Sequence, residues 1–267
     1  MAVRIEKRGR VWTVVHSRRE ARNAMDPDSA EALAAAFREF DADDSASVAV
    51  LWGEGGAFCA GWDLKFASTL SDRDAFQRHV VDGLAFPTGA NPAPLGPTRL
   101  ELSKPVIAAV EGPAVAGGME LALWCDIRVM AESAYFGVDC RRWGIPLLDG
   151  GSVRLARLVG QGRAMEIILT GRKVPADEAL RIGMCEQVVE TGGARAAAEA
   201  MAREIARFPQ AAVRADRRSV VETYGLPVRD ALRQEWTNGV EAIFKEGASG
   251  AARFAGGKGR HGDFAKI

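Results

Sequence analysis

The sequence predicts an α/β protein in which strand–turn–helix units are followed by a helical extension. Three observations carry that expectation. Short apolar runs of strand length alternate with amphipathic segments of helix length. Two stretches, "VAVLWGEGGAFCAGWDL" (48–64) and "VIAAVEGPAVAGGMEL" (106–121), share one plan: apolar strand, Glu-Gly, small-residue turn, acidic residue, leucine. From Ala194 onward the chain becomes rich in Ala and Arg at helical spacing. At 267 residues it is long enough for one large core, or a core with an appendage.

The elements follow in order. Residues 3–15 alternate as two strands around Arg8-Gly9-Arg10, the second ending in Val11-Trp12-Thr13-Val14-Val15. Asp26-Pro27-Asp28-Ser29 is a helix start, with Leu33, Ala36, Phe37 and Phe40 on one face. Val48–Trp52, Val106–Val110 and Ile127–Met130 read as buried strands. Residues 67–100 read as a helix followed by the Pro/Gly-rich surface loop "FPTGANPAPLGPTRL". Phe208-Pro209 and Gly225-Leu226-Pro227 interrupt the helical C-terminal part.

Composition excludes several functions. Lys+Arg and Asp+Glu both number 35, so no overall charge draws the chain to nucleic acid or to an anionic membrane. The four cysteines form no CxxC pair and the three histidines no HExxH, which leaves a disulfide framework or a metal site without support. The N-terminal residues lack an apolar signal region, and no stretch approaches a membrane span. The expectation is a reduced, soluble, cytoplasmic protein.

The two glycine turns carry the chemistry. Each ends a strand with residues small enough for close backbone approach, and each presents N–H groups at a helix start. Side by side, two such turns aim two donors at one point, the geometry of an oxyanion hole. Glu120 follows the second turn directly. On periodicity alone it also reads as a first-turn residue favoured by the helix dipole. Neither turn has a GxGxxG or GK[ST] pattern, so nucleotide-phosphate binding is weakly supported.

Together, "GEGGAFCAGWDLK" and "KPVIAAVEGPAVAGGMELALWCDIRVMAESAYFG" closely resemble the two signature segments of the crotonase, or enoyl-CoA hydratase/isomerase, superfamily. The likeness continues through "WGIPLLDGGSVRLARLVGQGRAMEIILTGRKVPADEALRIGMCEQVV" and covers most of residues 3–225. It implies a crotonase-like spiral of ββα units: a core over 1–195 holding an acyl-CoA site, then a helical region over 196–267 for oligomerisation and the acyl pocket. Trimers or hexamers are implied, with Phe254 and Phe264 near an acyl pocket or a subunit contact. It implies Ala60 and Gly117 as oxyanion donors to the thioester oxygen and Glu120 as catalytic acid/base, in apolar surroundings that raise its pKa. It places CoA against Ala60, Trp62, Asp63, Leu64 and Lys65, with Arg18 and Arg22 as phosphate candidates; a solvated strand end is their alternative reading. CoA enters as part of the substrate, with no further cofactor and no metal.

One position departs from the family pattern. The second glutamate of typical hydratases, three residues beyond Phe-Gly, is here Cys140 in "YFGVDCRRWGIP". A buried thiol stays protonated and cannot replace a carboxylate that accepts from water. Asp139 is adjacent, but an extended segment would point it to the opposite face. Asp149 in "PLLDGG" is the other nearby carboxylate. The resemblance implies water addition to a 2-enoyl-CoA, the commonest family activity. Isomerisation, another enolate-type reaction, or a catalytically silent acyl-CoA-binding protein are the alternatives.

Overall fold

The structure, a computed structural model, describes residues 2–70, 72–84 and 92–259. Phe264 and part of the Pro/Gly-rich segment therefore lie outside the described residues. β1 (Val3–Arg8) and β2 (Val11–His16) form an antiparallel hairpin, turning at Gly9 with φ 60°. Asp26 caps α1 (Pro27–Ala42) by accepting the Ser29 N–H at 2.9 Å. β3 (Val48–Gly53) pairs parallel with β2.

The expected helix after residue 67 is a series of short pieces: α2 (Leu64–Ala67), α3 (Arg73–Phe76), a π turn (Gln77–Val81) and α4 (Asp82–Leu84). Asp63 and Asp72 each cap a new start, which is why the helical pattern is interrupted. Beyond them come β4 (Val106–Val110), β5 (Ala114–Val115), α5 (Gly117–Trp124), β6 (Ile127–Ala131) and β7 (Tyr135–Gly137). The chain continues through α6 (Gly151–Val159), α7 (Gln161–Thr170), β8 (Lys173–Pro175), α8 (Ala176–Arg181) and β9 (Gln187–Val189). It ends in α9 (Ala194–Arg207), α10 (Gln210–Glu222), α11 (Val228–Ala242) and α12 (Ala248–Ala255).

Six strands make one sheet in the order β1-β2-β3-β4-β6-β9, and β5, β7 and β8 make a second. In the large sheet, alternate residues serve opposite faces. Ala49, Leu51, Ala108 and Val110 pack with Leu33, Phe37 and Phe40 of α1. Val48, Val50, Ile107 and Ala109 pack instead against Ala198, Ala202 and Ala206 of α9. α9, which begins at the boundary expected at residue 195, covers one face of the sheet. α10 is then tied back by Arg217, which donates to both Asp126 carboxylate oxygens at 2.9 Å and to the Leu102 carbonyl at 2.6 Å. No helix among the described residues is long and apolar enough to cross a membrane.

The two glycine turns meet through backbone. Val115 donates its N–H to the Cys59 carbonyl at 3.0 Å. A Cβ on Gly118 would stand 2.0 Å from that same carbonyl oxygen, where no real carbon fits. Gly118→Ala should therefore destabilise by about 1–3 kcal/mol or more, whereas Gly162→Ala, in open space on α7, should be neutral or slightly stabilising. Thermal melts of the two variants check this, and equal midpoints would mean that the turns can separate at little cost.

Candidate active site

The turn contact opens onto a cavity of ≈ 300 Å³. Its walls are largely apolar, with Trp62, Leu64, Phe76, Val80, Leu95 and Ile145 among the lining residues. Its polar groups are few: Glu120, Asp139, Cys140 and Asp149, with the Ala60 and Gly117 backbone at one side. An apolar cavity with a handful of convergent polar groups is the usual form of a small-molecule site.

Ala116, the residue before α5, sits at φ 54° and ψ −124°, a conformation that normally belongs to glycine. Its N–H is fixed by the Gly137 carbonyl at 2.8 Å. The bend starts α5 at Gly117, whose N–H has no backbone partner among the described residues. The two expected donors are thus unequal. The Ala60 N–H donates to the Arg22 carbonyl at 3.1 Å, and Arg22 itself has φ 51°. Only the Gly117 donor is unengaged.

Glu120 is 3 % exposed, one turn into α5. Its Oε1 accepts the N–H groups of Asp149 at 2.9 Å and Gly151 at 2.8 Å. Gly151 has to be glycine for this, since a Cβ there would stand 2.7 Å from Glu120 Cγ. Burial, with the neighbouring Asp149 charge second, pushes the Glu120 carboxyl up to about 8; the two N–H groups oppose the shift without cancelling it. Glu120 therefore holds its proton at neutral pH while remaining able to release it.

Asp149 is buried and accepts from the Thr98 hydroxyl and, at 3.3 Å, from the Leu95 N–H. Burial raises its pKa as well, against the Thr98 bond. Arg154 closes the back of this cluster, donating to the carbonyls of Asp149 and Thr98, both at 2.8 Å. Sequence reading left Leu95 and Thr98 in a surface loop and did not single out Arg154. The signal available was Gly96-Pro97-Thr98, where Gly96 (φ 79°) opens a 3-10 turn and buries the threonine.

Cys140 is buried beside Glu120, and burial, then the Glu120 charge, raise its thiol pKa. The expectation for Asp139 needs correction. Residues Asp139–Trp143 form a 3-10 turn, not an extended segment, so Asp139 and Cys140 both line the cavity.

The expected CoA segment divides. Ala60, Trp62 and Leu64 line the cavity, whereas Asp63 caps α2 and Lys65 is exposed. The Arg18 guanidinium lies 3.0 Å from Asp63 and 3.1 Å from Asp26, ion pairs that fix this loop. Arg22 is exposed. Among the described residues, those lining the cavity all precede residue 150, so Phe254, which is exposed, takes no part in it.

The enoyl-CoA hydratase/isomerase family model matches residues 6–256. The chain belongs to this family. It is 35% identical over 256 residues to the enoyl-CoA hydratase EchA19 of Mycobacterium tuberculosis, an alignment covering 93% of this chain and 91% of that one. It is likewise 35% identical over 218 residues to a short-chain-enoyl-CoA hydratase of Clostridium acetobutylicum, covering 81% and 79%. Among solved structures, an enoyl-CoA hydratase from M. tuberculosis H37Rv superposes with TM-score 0.85 at 34% identity, covering 95% of both chains. An enoyl-CoA hydratase from Bacillus anthracis gives TM-score 0.85 at 29% identity, covering 96% of both. The mixed α/β core and its helical C-terminal region are thus those of the family.

The raised Glu120 pKa has a stability consequence. Between the ordinary carboxyl value of 4.5 and about 8, the unfolded chain loses the Glu120 proton while the folded chain keeps it. This contribution to stability is complete below the unfolded value and is lost as pH rises toward the folded one. Glu120→Gln has no such loss, so its melting temperature relative to wild type should climb across that window and then level off. A constant difference from pH 4.5 to 9 would show that Glu120 is ionised in the folded protein.

Proposed function

We propose that the protein is an enoyl-CoA hydratase, adding water across the double bond of a 2-enoyl-CoA thioester. The observation that carries this is the buried Glu120 carboxyl, one helical turn from the unengaged Gly117 N–H inside an apolar cavity. The Gly117 N–H holds the thioester oxygen as it gains enolate charge. The Ala60 N–H joins it by exchanging or sharing its bond to Arg22. Glu120 stands as the acid that delivers a proton to the carbon beside the thioester. CoA lies along Ala60, Trp62 and Leu64, with exposed Arg22 and Lys65 as the candidate phosphate contacts. CoA is part of the substrate, and no further cofactor is needed for this chemistry. The four cysteines, all free and buried, suit a reducing compartment such as the cytoplasm.

Isomerisation of the double bond is the second reading. Cys140 in place of a carboxylate and the buried Asp149 beside Glu120 favour it. Turnover against short, long, branched and aromatic enoyl-CoA thioesters, with product identity read alongside loss of the conjugated thioester, separates the two. On the substrate so identified, Glu120→Gln should lower turnover by about 10²-fold or more, with acyl-CoA affinity within a few-fold of wild type. Turnover unaffected by that change would return Glu120 to a structural role.

We also propose a homotrimer, or a hexamer of two trimers. α10 and α11 leave Val220, Val228, Leu232 and Trp236 more than half exposed, and Phe244 in the π turn that follows is 77 % exposed. That is more apolar surface than a solvated helical hairpin needs. Light scattering at micromolar concentration should give three or six times the chain mass, and a monomer there would exclude this arrangement.

A further inference from the structure

The departure at Cys140 leaves hydration without the carboxylate that ordinarily holds the attacking water. Two of the three carboxyl groups lining the cavity are engaged by protein donors. Glu120 Oε1 is occupied by two N–H groups, and Asp149 Oδ1 by the Thr98 hydroxyl and the Leu95 N–H. Asp139 differs. Its Oδ1 is shielded from solvent and has no hydrogen-bond partner among the described residues, although the residue lines the same cavity as Glu120. A buried acceptor without a donor is costly, and such groups usually await a water or a ligand.

Two local features put it there. The 3-10 turn over Asp139–Trp143 advances by about 120° per residue, so neighbours 139 and 140 no longer oppose one another as they would on a strand. Gly137 then leaves room for the carboxylate: a Cβ at that position would stand 3.1 Å from Asp139 Oδ1 and 3.4 Å from Val115 Cγ1. Gly137 is also the residue whose carbonyl holds the Ala116 N–H, immediately before the Gly117 donor. The acid is therefore fixed to the same piece of backbone as the oxyanion donor.

We infer that Asp139 is a further catalytic residue, the carboxylate that holds and deprotonates the attacking water in place of the glutamate replaced by Cys140. The inference rests on the hydration reading. In the step, the water oxygen bonds to the β-carbon of the enoyl thioester and its proton passes to Asp139. The π pair of the double bond moves toward the thioester, whose oxygen the Gly117 N–H steadies. The α-carbon then takes a proton from Glu120. Asp139 afterwards gives its proton to solvent and Glu120 regains one, so the sum is addition of one water and no oxidant or reductant is required. Glu120 as acid and Asp139 as base divide the two proton transfers between a buried acid and a carboxylate whose Oδ1 has no donor among the described residues.

The test uses the full-length protein and two reactions. Hydration of crotonyl-CoA needs both acids. Exchange of the α-protons of saturated butyryl-CoA in D2O needs only Glu120 and the oxyanion donor. Asp139→Asn should lower kcat for hydration by about 10²-fold with KM within a few-fold, while α-proton exchange stays within a few-fold of wild type. Gly137→Ala, which displaces the carboxylate without removing it, should lower hydration in the same selective way. Hydration at wild-type rate in Asp139→Asn overturns the inference and leaves the hydratase reading standing. Loss of exchange together with hydration in both variants overturns it too, since the turn would then serve only to shape the site. A wild type that exchanges α-protons but hydrates no enoyl thioester defeats the hydratase reading itself and this inference with it.

Discussion

A carboxyl group cannot sit in an apolar interior without donors, and the site is organised around meeting that requirement for Glu120. Two main-chain N–H groups, from Asp149 and Gly151, converge on a single oxygen. This pins α5 to the start of α6 and sets the distance between the second glycine turn and the loop after the 3-10 turn. That spacing defines the cavity. The fastening is deliberately incomplete in electrostatic terms, because two neutral donors do not offset burial and a neighbouring acid. The result is a proton held near neutrality, which serves acid chemistry better than a fully stabilised carboxylate would.

The same loops are braced from behind. In the cluster of Asp149, Thr98 and Arg154, the threonine hydroxyl donates to the aspartate carboxyl and the guanidinium donates to the main-chain carbonyls of both residues. The arginine is not among the residues lining the cavity. It contributes positive charge near Glu120 and Asp149 without contacting a ligand, and it offsets part of the cost of burying two acids. On the opposite side, strain is concentrated in three residues, Arg22, Asn23 and Ala116, all with positive φ. Asn23 is fully buried and donates to the carbonyls of Glu54 and Ala57 at 2.9 and 2.7 Å, which holds its loop against the first glycine turn. Such backbone persists where surrounding bonds over-determine it, and both strained segments here border the oxyanion donors.

The helices after Arg207 stand apart from this machinery. They contribute no lining residue to the cavity and keep large apolar side chains on their outer surface. Arg217 ties them to the core through Asp126 and the Leu102 carbonyl, while Glu246 ties the turn after α11 back to α10 by accepting the N–H groups of Ala211 and Ala212 at 2.9 and 3.3 Å.

Local order was legible in the residues themselves. The hairpin around Gly9, α1 with its Asp26 cap, the parallel strands β3, β4 and β6, and the duplicated strand–turn plan all follow from side-chain periodicity and turn chemistry, which depend on near neighbours in the chain. The family was legible for the same reason, since its signature turns are contiguous. The tertiary structure alone decided where side chains end up. It joined α9 to the core, because its alanine stripe finds the exposed face of the large sheet. It paired Arg18 with two carboxylates, because Asp26 and Asp63 converge on it from two separate segments. It turned part of a Pro/Gly-rich loop into the wall that buries Thr98 and Leu95. It also brought Asp139 to the cavity beside Cys140, because the chain after β7 winds into a 3-10 turn. Each of these outcomes depends on which distant groups arrive to satisfy a buried polar atom or cover an apolar face, and no local pattern encodes that.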